Sequence, residues 1–123
     1  MHTAESEELA QVRYRDMSEE PWNGMSREGG ITVPVYMSAA AYEATVAIDA
    51  TAPGHSCQDI KGRFWDVLTV FRQLRRKVDE ITFHFEVLVR DPDNRVRKKD
   101  LKALIQLDVD GDPFLIFMLP TEE

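Results

Sequence analysis

Cysteine is almost absent from this chain: Cys57 is the single one in 123 residues, so no internal disulfide forms and the fold does not depend on an oxidising compartment. Long apolar runs are missing too, since nothing approaches the roughly 18 residues that cross a bilayer. The opening MHTAESEELAQ is acidic and lacks the basic-then-apolar order of an export signal, and the expectation is a cytoplasmic chain without membrane contact. Basic charge is in deficit, with 15 Lys and Arg against 22 Asp and Glu and a net charge of −7. That balance argues against bulk attraction to DNA, RNA or anionic lipid. Neither a CxxC nor an HxxxH pair occurs, which excludes the common zinc-ligand spacings, and no metal or cofactor is expected.

What is present suits one globular domain, because 123 residues at 43% hydrophobic can bury a single core. Residues 1–30 are polar and hold Pro21, Asn23, Gly24, Gly29 and Gly30, with no sustained helix or strand period. They read as a flexible acidic arm ahead of a domain at 31–123, with Tyr14, Met17 and Trp22 able to anchor it, and with room for a short helix over Glu5 to Arg13. Alternation of Ile31, Val33, Val35 and Met37 around Pro34 predicts an edge strand over 31–37. Ser38 ahead of AAAYE predicts an N-capped helix to about Ile48.

The strongest helix signal lies over 62–77, where Phe64, Val67, Leu68, Phe71, Leu74 and Val78 share one face and Trp65 and Val70 widen it. Arg72, Arg75, Arg76 and Lys77 crowd its end, where cations meet the negative pole of the helix. Strict alternation from Ile81 to Arg90 predicts a strand with one wet face, and a second strand is expected at 101–108 after a polar connector. Phe114 to Leu119 is apolar on both faces. It reads as a strand near 113–119 that is either covered on both sides or pairs with another copy of the chain, with Leu115, Phe117 and Leu119 as homodimer-interface candidates.

The fold class expected is therefore α+β: a mostly antiparallel sheet of about four strands with two helices packed on it. Three sets of residues could carry chemistry. The connector residues Arg95, Arg97, Lys98 and Lys99 could grip phosphates as a basic loop, but aromatics for base stacking are lacking and Asp91, Asp93 and Asp100 dilute the charge. Cys57 with His55, Asp59 and His84 could be drawn as a nucleophile, base and orienter, yet residues two apart in a loop do not face one another by spacing alone. DVDGDP at 108–113 has alternating carboxylates but puts its glycine fourth, not sixth, and lacks the closing Glu of a calcium loop, so a hairpin turn is the better reading. That tip is expected near Asp79 and Glu80 and near Arg75 to Lys77, where acid and base would offset one another. No catalytic residue is assigned.

The order ITVPVYMSAAAYEA, CQD, KGRFWDVLTVFRQLRR, FHFEVLVRD and PFLIFMLP, from about Arg27 to Pro120, resembles a family of small uncharacterised proteins carried by phages, prophages and plasmids. Val33-Pro34-Val35, Cys57-Gln58-Asp59, Gly62-Arg63 and Trp65-Asp66-Val67-Leu68 carry the likeness, and the N-terminal arm departs from it. The family has no assigned activity, so the resemblance implies only a mobile-element origin. Together with the acidic charge and the absence of a catalytic set, it points to a non-enzymatic accessory protein that binds a host or phage protein, for example a counter-defence inhibitor. A nucleic-acid binder using Arg95 to Lys99, or an enzyme dependent on Cys57, are the alternatives.

Overall fold

A computed structural model describes residues 14–122. The early part of the arm, including the short helix expected up to Arg13, lies outside the described residues. The chain is α+β with one sheet of six strands: β1 (Tyr14–Asp16), β2 (Val35–Ser38), β3 (Arg76–Lys77), β4 (Thr82–Arg90), β5 (Val96–Leu107) and β6 (Pro113–Met118). Among the described residues three α-helices accompany it, α1 (Met25–Glu28), α2 (Ala39–Thr45) and α3 (Ile60–Leu74). The strand order is β1-β2-β6-β5-β4-β3, and every neighbouring pair is antiparallel except β2 with β6.

Local chemistry explains the helices. Ser38 caps α2 by accepting the Ala41 amide at 3.1 Å, and Asp59 caps α3 by accepting the Gly62 amide at 2.6 Å. Phe64, Val67, Leu68 and Phe71 form the buried stripe of α3, as its periodicity requires. Leu74 and Val78, expected on the same stripe, are exposed, and so is Trp65. The stripe ends early because the helix does: Arg75 leaves helical geometry at φ −64° and ψ 146°, and the chain enters β3 at once.

Alternation and register assign the two faces of the sheet. Val35, Met37, Leu115, Phe117, Leu101, Ala103, Phe85, Val87 and Val89 point to the helices and belong to one continuous core with Phe64, Leu68 and Phe71. Phe71 sits at its centre, with ring centroids 5.3 Å from Phe85 and 5.0 Å from Phe117. The opposite face carries Tyr36, Phe114, Ile116, Met118, Leu104, Gln106 and His84, of which Ile116 and Met118 are buried and the others half-buried. The C-terminal turn is fixed over one end of that face, where the Glu122 carboxylate accepts from the Ser38 hydroxyl at 2.6 Å and the Leu119 amide at 2.7 Å, and the Lys102 ammonium donates to the Glu122 carbonyl.

Two expectations are corrected. The sheet has six strands rather than about four, because β1 and β3 are too short to leave an alternating pattern. The strand around Pro34 is not an edge: it starts at Val35, one residue past the proline, and runs between β1 and β6. Of the residues expected to anchor the arm, Met17 and Trp22 are buried in the core and Tyr14 opens β1, which pairs along β2. Of the two alternatives for the last strand, β6 is the interior one, with β2 on one edge and β5 on the other; Leu115 and Phe117 are buried, Leu119 is half-buried beside them, and their strand has no free pairing edge. Among the described residues, no helix is long and apolar enough to cross a membrane.

Candidate functional site

The basic residues expected on a loop lie mostly on a strand. Val96 already pairs with Arg90, so Arg97, Lys98 and Lys99 stand on β5 and only Arg95 stays in the turn. Their charges are largely spoken for. Arg97 reaches Asp91 at 2.8 Å and Asp93 at 2.6 Å, Lys99 reaches Asp91 at 3.1 Å, and Lys98 reaches Glu86 at 3.7 Å. The Arg97 guanidinium, with the Arg95 amide, draws the Asp93 carboxyl down to about 2. Burial pushes the Asp91 carboxyl up, but hydrogen bonds from Arg97 and Lys99 outweigh it and hold it below the usual range. A phosphate entering here would have to displace carboxylates already bound in matching geometry.

The Cys57 set does not assemble. Cys57 is exposed, and the side-chain contact it makes is with Ser56 at 4.0 Å. His55 is buried with both ring nitrogens engaged: Nδ1 accepts the Asp49 amide at 2.9 Å and Nε2 lies 2.9 Å from the Arg90 carbonyl. That pairing assigns the proton to Nε2 and leaves no free base for the thiol. Asp59 is the helix cap, and His84 lies on β4 on the face turned away from the core.

Arg63, which no pattern singled out as buried, belongs to the same junction. Its Nη1 donates to the Arg90 carbonyl at 2.8 Å and to Gln58 at 3.3 Å, and its Nε to the Val46 carbonyl at 3.2 Å. Burial lowers its pKa, with Asp91 and Asp66 opposing the shift. These bonds tie α3 to the end of α2 and to the β4–β5 turn, which is a structural role. A buried Arg one position after Gly62 leaves no signature in hydrophobic periodicity.

Asp108, Asp110 and Asp112 bring carboxylate oxygens within 4.8 Å of one another. Asp108 is committed to the turn, since its Oδ1 accepts the amides of Asp110 and Asp112 at 2.9 Å each, and Gly111 takes the left-handed conformation at φ +85°. The hairpin reading therefore accounts for the DVDGDP geometry. Among the described residues no ion pair joins this tip to Arg75, Arg76 or Lys77, so the expected offset of acid by base is not made.

What the tip does face is Tyr36. Parallel pairing of β2 with β6 sets the Tyr36 ring against Phe114 edge-on, with centroids 5.4 Å apart. Asp16 sits beside Tyr36 as its register partner on β1. Burial raises the Tyr36 hydroxyl pKa, and the carboxylates of Asp16, Asp108 and Glu19 raise it further. None of these three acids has an ion-pair partner among the described residues. The result is an aromatic pair with carboxylates near it that have no ion-pair partner among the described residues, on the sheet face opposite α2 and α3. Local sequence patterns could not show it, because Asp16, Tyr36, Asp108 and Phe114 meet only through strand pairings that are distant in the chain. Comparison with known protein families, with curated proteins and with solved structures gave no match.

Proposed function

We propose that the protein is a non-enzymatic binding protein whose Tyr36 and Phe114 corner, with the acids beside it, takes an arginine- or lysine-rich segment of a partner protein. The observation that carries this is the grouping of Asp16, Glu19 and Asp108 around Tyr36 and Phe114 with no cation of the described residues paired to them. A guanidinium or ammonium placed there gains both cation–π contact with the rings and charge-assisted hydrogen bonds to the carboxylates. A net charge of −7 steers such a partner in and repels nucleic acid competing for the same basic segment. The likeness to proteins of phages and plasmids supports the specific form of a counter-defence inhibitor acting on a host or phage nucleic-acid-binding protein. The ion pairing of Arg97, Lys98 and Lys99 disfavours the nucleic-acid alternative, and the occupied ring nitrogens of His55 disfavour the Cys57 enzyme.

The test is calorimetric titration of the full chain with a nona-arginine peptide at low ionic strength. The parent should bind, and Asp16→Lys and Tyr36→Ala should each weaken binding by about tenfold, the loss typical of a central contact residue. Glu43→Lys makes the same change in net charge on the far side, on α2, and should have little effect. If Glu43→Lys weakens binding as much as Asp16→Lys, attraction is by bulk charge and the site is wrongly placed.

A further inference from the structure

A second feature lies on the helix-bearing side, at the C-terminal end of α3. A cavity of about 620 Å³ opens between that helix end and the start of β6, within the range of roughly 300–1,000 Å³ that small-molecule sites occupy. Its walls are apolar, including Ile31, Phe71, Phe83, Ile105 and Leu115, and its charged lining residues are Arg72 and Arg75 alone. In a chain with 22 acidic residues and a net charge of −7, a cavity lined by two arginines and no acid is a selective environment.

Both guanidiniums are held at the rim. Gly30, at φ +89°, packs so closely that a Cβ there would come within 2.9 Å of the Arg72 Cζ. Arg75 lies over the rings of Phe71 and Phe83, at 5.0 and 5.5 Å from their centroids. Its Nη1 donates to the carbonyls of Phe71 and Arg72, at 3.3 and 2.8 Å, which satisfies the helix-end acceptors that would otherwise oppose an anion. Among the described residues no carboxylate pairs with either arginine.

We propose that this cavity binds a free amphipathic carboxylate, with its apolar chain against Ile31, Phe71 and Leu115 and its carboxylate on the Arg72 and Arg75 guanidiniums. The arginine fork matches a carboxylate in two-point geometry, and the apolar walls supply the burial that a small polar anion could not exploit. Phe114 also lines the cavity, so the two sites adjoin, but the arginines that would hold the carboxylate are no part of the acidic site.

The test uses calorimetric titration of the full chain with decanoate, 1-decanol and decylammonium. Decanoate should saturate at one per chain, and the neutral and cationic analogues should bind about tenfold more weakly or not at all, the margin expected of charge-assisted hydrogen bonds. Arg72→Gln, at an exposed position, should melt with the parent and weaken decanoate binding by about tenfold. Val33→Trp, on the cavity wall but outside the strands, should block it by filling the space. Asp16→Lys should leave it unchanged, which separates this site from the acidic face. Decanoate binding no tighter than 1-decanol, Arg72→Gln binding as the parent does, or no saturation with decanoate would each overturn the proposal.

Discussion

Gly54 shows how much of this fold rests on single residues outside the periodic elements. It lies in the 3-10 turn Pro53–His55, where its amide donates to the Pro92 carbonyl at 3.1 Å, and a Cβ at this position would stand 2.1 Å from the Asp91 carbonyl oxygen and 2.5 Å from the Asn94 nitrogen. Those neighbours are backbone, so they cannot rotate away. Gly54→Ala should therefore destabilise by about 1–3 kcal/mol, in the range of overpacking in a fixed environment. Denaturant unfolding should show a lowered midpoint, and an unchanged midpoint would mean the two turns are not in contact. The same junction holds His55 and Arg63 on the Arg90 carbonyl, so residues that look catalytic or solvated in sequence are used here as cross-braces. Sequence types name the chemistry a side chain can do, but partners decide which of it is used, and these partners come from the far end of β4.

Among the longer elements, α3 is the most legible and the first half of β5 the least. The spacing of Phe64, Val67, Leu68 and Phe71 needs no tertiary information, since one turn of helix already places them together. Phe71→Ala should cost about 3–5 kcal/mol as a large-to-small change, because its ring meets Phe83, Phe85 and Phe117. A thermal melt equal to the parent's would contradict that packing. By contrast, Val96 to Asp100 reads as a polar connector because it is charged on both faces, yet it extends β5 to Leu107. Pairing supplies what composition lacks: Lys99 stands opposite Val87 and Arg97 opposite Val89, and the acids of the turn neutralise them both. The run Phe114 to Met118 lies between β2 and β5, so both of its hydrogen-bonding edges are taken within the chain.

At the scale of the molecule, the decisive event is the parallel insertion of β2 beside β6, which joins the N-terminal third of the chain to its last strand. No local pattern encodes it. It puts Val35 and Met37 on the face packed by α2 and α3 and Tyr36 on the opposite face, and it sets β1 with its Asp16 beside the aromatic pair. The α+β class and the antiparallel majority were legible from alternation and capping. The candidate site was not, since each of its residues is unremarkable until these pairings bring them together. The measurement that tests the account most directly is a backbone amide chemical-shift map of the full chain during titration with nona-arginine peptide. The account predicts that the largest shifts fall on Asp16, Glu19, Tyr36, Asp108 and Phe114; shifts concentrated on residues 91–99 or on the C-terminal end of α3, or spread evenly over the acidic surface, would contradict it.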